Sequence, residues 1–366
     1  MFSFLILSTI IPLVLFIGLF FAFIPYFTRP ELIFGVRFMD YQNFVPVING
    51  MKKRNVIYDL IISVLFLVLT LILSAYTSAI IAVLFPVAEI IPLTLVYFHF
   101  RGSTKELKSR VVEENNKNST VSAYISKSSM NVSAVWYALP WIELIIFIIT
   151  GILHYPAIPN RFATHFGLNG KPNEYETKSI FSVFSLLVFT AIPLTVLLEG
   201  ISYAINRTRS GSNNAQPRKS SIQMKGFNAR MVKLLVGINM IILATLFLSS
   251  LIIWNVISSS YVAILTLPVI LILPLVFWFA ASSGQTGWKM YRNLEESPDK
   301  GNTVDDDKEW AGGLVYHNKE DSKILVPKRY GVGYTFNFSN KWSWLILIII
   351  IGVPITLTVL LILLRQ

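Results

Sequence analysis

From residue 56 to residue 76 the chain reads VIYDLIISVLFLVLTLILSAY, and this stretch decides the fold class. The hydrocarbon core of a bilayer is about 30 Å thick, and a helix needs about 20 mostly apolar residues to cross it. Inside lipid, only a helix or a closed barrel satisfies its backbone hydrogen bonds. The stretch therefore predicts a transmembrane α-helix.

Seven more apolar stretches of similar length lie along the 366 residues, of which 54% are hydrophobic. Together they predict an all-α polytopic membrane protein with about eight transmembrane helices. Packing between such helices depends on small residues and polar contacts. The predicted spans are residues 4–23, 56–76, 78–98, 134–153, 180–204, 232–255, 261–281 and 342–364.

Lysine and arginine residues fall almost entirely in alternate loops, and the formal net charge is +11. Because cytoplasmic loops retain basic residues, this segregation predicts a multi-pass protein of the cell membrane with both termini outside. Basic loops that face anionic membrane lipids also explain the charge, so we expect no direct binding of nucleic acid. The predicted outer side carries only Arg161, Lys171, Lys178 and Arg365.

The chain contains no cysteine, which excludes disulfides, thiolate metal sites and cysteine nucleophiles. It also has no His-Glu-x-x-His pattern of the kind that zinc proteases use. We therefore expect no metal, no cofactor and no enzymatic activity. A membrane enzyme that uses His165 with Glu174 is an open alternative, but it has no recognisable nucleophile.

The loop that follows the fourth predicted span is rich in proline, glycine and polar residues from residue 154 to residue 178. Its pattern of a proline, then His-Phe-x-x-x-Gly-x-Pro and a closing lysine, resembles the conserved-loop domain of the SdpI family, membrane proteins of Gram-positive bacteria that are named for a bacteriocin-immunity member. Asn173 stands where that family usually has aspartate. The matching residues are Pro159, His165, Phe166, Asn169, Gly170, Pro172, Asn173 and Lys178.

Two predicted cytoplasmic segments support the same resemblance. Gly35 and Arg37, in the first loop, are similar to a Gly-x-Arg motif of that family. Residues 305–337 resemble an uncharacterised domain that often accompanies such loops in Bacillus-type membrane proteins. Short strand-like runs within this segment predict a small β-ribbon insert.

The spans and loops divide the chain into five predicted regions. Residues 1–133 form a three-span region, and residues 134–204 form an SdpI-like two-span unit whose external loop covers 154–179. A basic loop and helical hairpin (205–281), a β-rich insert (282–341) and a last transmembrane helix (342–366) complete the chain.

The resemblance implies immunity to a secreted peptide toxin, membrane signalling to a transcriptional regulator, or both. The founding member protects its producer and holds a repressor at the membrane when toxin is present. The expected partners are thus membrane lipids, a toxin outside and a repressor inside. His165 is either part of a binding site, since an imidazole can donate, accept or charge near neutral pH, or a hydrogen-bonded residue that shapes its loop.

Glu89 and Glu143 lie near the middle of predicted spans, close to prolines. An ionisable group at that depth is costly and is a candidate functional residue. Their similar depth predicts that the two carboxylates could meet and relay protons or bind a cation. The alternatives are a proton- or cation-coupled transporter and protonated glutamates that bond to carbonyls freed by the prolines.

Overall fold

The computed structural model describes residues 4–38, 41–76, 85–112, 124–125, 132–166, 172–208, 211–212, 217–294 and 305–364. Helices dominate, and the strands form five two-stranded antiparallel ribbons. The helices are α1 (Phe4–Phe27), α2 (Val45–Tyr76), α3 (Ile90–Val112), α4 (Ala134–His154), α5 (Ile180–Leu186), α6 (Ile192–Arg207), α7 (Pro217–Ile253), α8 (Leu267–Ser283) and α9 (Lys341–Leu364).

The five ribbons are short and lie in the loops. They pair β1 with β2, β3 with β6, β4 with β5, β7 with β8, and β9 with β10. The strands are β1 (Leu32–Ile33), β2 (Val36–Arg37), β3 (Tyr124–Ile125), β4 (Arg161–Phe166), β5 (Pro172–Thr177), β6 (Gly211–Ser212), β7 (Trp310–Ala311), β8 (Val315–Tyr316), β9 (Leu325–Pro327) and β10 (Tyr334–Phe336).

Six helical segments of the described chain are long and apolar enough to cross a membrane: Thr9–Phe27, Tyr41–Leu73, Ala134–Ala157, Ile180–Arg207, Arg218–Ile253 and Ile270–Gly287. The prediction of an all-α polytopic membrane protein is confirmed. Lys341–Gly352 forms a shorter apolar helix within the predicted last span. The predicted third span lies partly at 77–84, outside the described residues, and continues into α3.

Two predicted spans are much longer in the structure than in the sequence prediction. Helix α2 begins at Val45 and α7 begins at Pro217, well before the apolar runs themselves begin. The added turns bury polar side chains such as Asn55 and Gln223, so tertiary contacts hold them in helical form.

The predicted fifth span is not one regular helix. Residues 187–191 form a π-helical turn between α5 and α6, in which the Ile192 N–H donates to the Leu187 carbonyl. Pro193 follows immediately and cannot donate a backbone hydrogen bond. The wider turn accommodates the proline without ending the span.

The helices pack in two groups. Helices α1, α2, α3 and α8 contact one another on one side, and α4, α6 and α7 on the other, with α7 and α8 in contact between them. The loops that carry most basic residues meet at one end of the bundle, which we call the basic end. The β4–β5 ribbon follows α4 to the opposite end.

The described residues of the β-rich insert, 284–294 and 305–340, pack across the basic end. Gln285 accepts a hydrogen bond from the Arg29 backbone at 2.9 Å, and Trp288 donates to the Phe27 carbonyl at 2.8 Å. Ribbons β7–β8 and β9–β10 are joined by a bridge from Tyr316 to Asn337. The predicted small β-ribbon insert is therefore present.

Candidate functional site

The Gly-x-Arg motif forms a tight hairpin at the basic end. Phe34 and Gly35 both have positive φ angles, 43° and 71°, which is the geometry of a two-residue type I′ turn between β1 and β2. A Cβ on Gly35 would lie 2.5 Å from the Tyr97 hydroxyl. The position therefore requires glycine for both backbone conformation and space.

The hairpin presents Arg37 to the acidic triplet of the insert. Arg37 Nε lies 2.7 Å from Asp306 Oδ1, and the Arg37 backbone N–H donates to Asp307 Oδ1 at 2.9 Å. Two segments almost 270 residues apart in sequence thus form one contact. The sequence singled out both segments but did not predict that they touch.

Arg329 completes this cluster from the other side. Its side chain is 1% exposed, and it pairs with Asp306 at 2.6 Å, with Asp307, and through Nε with the Gly35 carbonyl at 2.9 Å. Lys108 of α3 binds Asp305 and also Asp307, the latter at 2.7 Å. We call Arg37, Lys108, Asp305, Asp306, Asp307 and Arg329 the ion-pair cluster.

The ion-pair cluster is electrically balanced by its own side chains. Burial raises the pKa of the Asp306 carboxyl, but the guanidinium groups of Arg37 and Arg329 outweigh it, so this pKa lies below its usual range. The three carboxylates are close enough together to hold a metal ion. Because three cationic side chains already neutralise them, the geometry supports a structural role for the cluster.

The loop between α4 and α5, which the sequence predicts to be external, forms a β-hairpin at the end of the bundle opposite the insert. Strands β4 and β5 pair from Arg161 with Thr177 to Phe166 with Pro172, with irregular register near His165. Pro159 and Asn173 are exposed. Residues 167–171, which include Asn169 and Gly170, and the side chains of His165 and Phe166 lie outside the described part of the chain.

One face of the hairpin is anchored to the bundle. Ile158 and Phe162 are buried in a cluster with Trp254, whose indole N–H donates to the Val183 carbonyl at 3.1 Å. Lys178 donates to the Ile158 carbonyl at 2.8 Å. The motif lysine therefore closes the base of the hairpin.

The other face of the hairpin is open. Tyr175 is 51% exposed and lies under the Arg161 guanidinium at 5.5 Å. Beside it, Thr164, Glu174 and Phe181 line an open groove. Strand β5 is exposed along nearly its whole length, while β4 is the strand that contacts α7.

The two predicted membrane glutamates belong to different helix groups. Glu89 is fully buried at an interruption of the helix, between helical residues 85–88 and α3, and accepts a hydrogen bond from Ser63 at 2.5 Å. Glu143 lies on α4, which contacts α6 and α7. Within the described residues no hydrogen bond joins the two carboxylates, and Oε2 of each lacks a partner.

Sequence reasoning overlooked Asp59, which is 2% exposed and interacts electrostatically with Glu89. The sequence could have identified it, because polar residues recur every four positions at Asn55, Asp59 and Ser63 and so share one face of a helix. Glu199 and Asn239 are also buried polar residues of the spans. The Asn239 Oδ1 accepts from Thr195 at 3.4 Å, but both Glu199 carboxylate oxygens and Asn239 Nδ2 have no partner.

This fold and these sites define a polytopic membrane protein with a hairpin at one end and an insert docked at the other, basic end. Two family models match parts of it. Residues 142–191 match a domain of unknown function, DUF1648, and residues 319–344 match a family of unknown function, DUF5808. Comparison with curated proteins and with solved structures gives no match.

The two matches fall on structural units described above. DUF1648 covers most of α4, the β4–β5 hairpin, α5 and the π-helical turn. DUF5808 covers β9, β10 and the start of α9. The hairpin with its two flanking helices is thus a unit that recurs in other proteins, as is the second ribbon of the insert.

Proposed function

We propose that this protein is a non-enzymatic protein of the cell membrane that recognises a secreted peptide toxin through the β4–β5 hairpin and thereby confers immunity, signals inward, or does both. The observation that carries the proposal is the asymmetry of the hairpin. One face is fixed to the helices by Ile158, Phe162 and Lys178, whereas the face around Tyr175 is open.

A fixed ribbon with a free outer edge suits an extended peptide. The β5 strand is exposed along nearly its whole length, and a peptide strand can add to an exposed strand of this kind. Tyr175 and Phe181 supply apolar contact, and Glu174 and Arg161 supply charge on either side. The expected ligand is therefore a short amphipathic peptide that binds in extended form.

The route inward runs through the span that follows the hairpin. Helices α5 and α6 connect β5 with the basic end by way of the π-helical turn at 187–191. Binding outside has to favour one arrangement of this span over another, because equal affinity for two states shifts nothing. We place a transcriptional repressor at the basic end as the receiver of the signal.

Protection of a sensitive Gram-positive host against a panel of secreted peptide toxins tests the proposal. We expect the parent chain to protect, and Tyr175→Ala and His165→Ala to lose protection at equal membrane levels. Tyr203→Ala is the matched control, because Tyr203 is similarly exposed but lies on α6, away from the hairpin. Equal protection by all four chains would remove the hairpin from the site.

A coupled carrier is the second candidate, and Glu89 is the observation that favours it. An acid buried at an interrupted helix is a feature of membrane transporters. For a carrier, Glu89→Gln and Glu143→Gln are expected to abolish flux in vesicles while toxin resistance stays unchanged. Loss of resistance without loss of flux would assign both glutamates to the first candidate.

A further inference from the structure

Four side chains of the first helix group form a polar cluster beside the helix interruption. Asn55 Nδ2 donates to Asp59 Oδ2 at 2.8 Å, and the Ser63 hydroxyl donates to Glu89 Oε1 at 2.5 Å. Asn55, Asp59 and Ser63 occupy successive turns of α2, at about 6 Å per four residues. We call these four residues the α2 polar cluster.

Each donor of the α2 polar cluster is used, yet several acceptors are not. Asn55 Oδ1, Asp59 Oδ1 and Glu89 Oε2 are buried and have no hydrogen-bond partner in the protein. The three residues are 1%, 2% and 0% exposed. Since all three unpartnered atoms are oxygen acceptors, the group that would satisfy them is a proton or a cation.

The charge of the cluster leads to the same conclusion. Asp59 and Glu89 interact electrostatically, and in the described chain neither forms an ion pair with lysine, arginine or histidine. Glu89 accepts a hydrogen bond from Ser63, which lies one helical turn from Asp59 on α2, and two carboxylates of one buried cluster do not both remain ionised without compensation. With one proton resident, a single negative charge is left in a largely apolar surrounding.

We propose that Asp59 and Glu89, with Ser63 and Asn55 beside them, bind one exchangeable monovalent cation, either Na⁺ or H⁺. The inference does not depend on the hairpin or its toxin, and it deepens the carrier candidate by naming the cation and its ligands. A divalent ion fits less well, because Ca²⁺ takes six to eight oxygens and Mg²⁺ keeps several waters. Of the six side-chain oxygens in the cluster, three already take part in hydrogen bonds and only three have no hydrogen-bond partner in the protein, fewer than a divalent ion takes.

The packing of α1 closes the site on one side. A Cβ on Gly18 would lie 1.5 Å from Ser63 Oγ and 3.1 Å from Glu89 Oε1, so the α1 backbone sits directly over the cluster. On the side of the insert, Tyr330 interacts with Asp59 and packs against Tyr97, with ring centres 4.3 Å apart. These tyrosines are the titratable groups that the insert and α3 contribute there.

Cation binding to the purified full-length chain in lipid nanodiscs tests the proposal. Thermal unfolding is followed while NaCl replaces choline chloride at constant ionic strength, at several pH values. We expect a saturable rise in melting temperature that needs more Na⁺ at lower pH, because H⁺ competes. Infrared difference spectra should show loss of a protonated carboxyl as Na⁺ binds.

The variants identify the ligands. Asp59→Asn and Glu89→Gln are expected to abolish the Na⁺ response, and Ser63→Ala, which keeps both charges, to weaken it about tenfold, the loss of roughly one ligand contact. Glu199→Gln is the matched control, since Glu199 is also buried with unpartnered carboxylate oxygens but lies on α6 in the other helix group. Its response should equal that of the parent.

The results distinguish binding of Na⁺ from binding of H⁺, and they test this inference independently of the proposed function. A carboxyl titration without any Na⁺ response, lost in Asp59→Asn and Glu89→Gln, would assign H⁺. Absence of both signals in the parent, or their persistence in those variants, would overturn the inference. Because this assay measures binding alone, intact binding with no flux would reject only the carrier, and toxin resistance is decided separately.

Discussion

Two sets of buried acids lie at different depths of the molecule, and they differ in whether their carboxylates have partners. At the basic end, Asp306 and Asp307 each pair with buried Arg329, and Arg37 contacts both. In the helices, Asp59 and Glu89 are more deeply buried but each keeps an unpartnered oxygen. Satisfied charges fix a structure, whereas unsatisfied ones retain capacity to bind.

Whether a buried carboxylate has a partner distinguishes a structural acid from one that can bind a ligand. Removing one partner of a buried ion pair strongly destabilises the fold, because the other partner is then left charged and unpaired. A buried acid without a partner already lowers the stability of the folded state in this way. A buried acid of this kind therefore requires a ligand or a proton that compensates its charge.

The largest expected effect is that of Arg329→Ala. This change leaves Asp306 and Asp307 with one guanidinium partner fewer and opens the contact with the Gly35 carbonyl. We expect a loss of about 3 kcal/mol in the free energy of unfolding, measured by thermal and chemical unfolding in detergent micelles.

A double variant controls for the loss of side-chain packing at this position. Arg329→Met with Asp306→Asn removes charge from both partners, and its loss should be clearly smaller than that of Arg329→Ala. An equal loss in both proteins would show that packing, and not charge pairing, holds the insert in place.

Glu89→Gln should act in the opposite direction. Glutamine keeps an oxygen that accepts from Ser63 and removes the buried charge, so we expect a gain of about 1 kcal/mol in the absence of Na⁺. The measurement is unfolding at neutral pH in choline chloride. Destabilisation of similar size would mean that the Glu89 carboxylate is stabilised by the protein after all.

The sequence predicted the membrane spans well, because hydropathy is a local property of the chain. It did not predict the first turns of α2 and α7; in α7, Gln223 donates to the Met290 carbonyl of the insert and Asn228 to the Ile205 carbonyl of α6. The π-helical turn before Pro193 was also missed. A proline indicates an interruption but does not determine its form.

The candidate sites were predicted in part, for a related reason. Gly35, Arg37 and the segment 305–337 that contains Arg329 stood out, but their meeting depends on which loops share one end of the bundle. Asp59 was missed because it lies near the start of its span, where a charged residue usually has an interfacial explanation. Its partner, Glu89, is far away in sequence, and only packing of α2 against the interrupted helix brings the two together.

Acid should weaken the basic end through protonation of Asp306. The pKa of Asp306 is lower in the folded protein than its usual value, about 3.9. The stabilisation is therefore complete above that value and is lost as the pH falls through the folded pKa. Melting temperature measured from pH 6 downward should fall less steeply in Asp306→Asn than in the parent.

The smallest effect is expected for Arg110→Ala, and it isolates burial as the deciding variable. Arg110 pairs with Glu106 at 2.6 Å, the same distance that separates Arg329 from Asp306, but the two side chains are 73% and 65% exposed. Water screens an exposed pair and leaves each charge solvated when the partner is removed. We expect a change of about 0.3 kcal/mol or less in the free energy of unfolding, measured beside Arg329→Ala in the same micelles. A loss as large as that of Arg329→Ala would mean that distance rather than burial sets the strength of these pairs, and the distinction between the two sets of acids would fail.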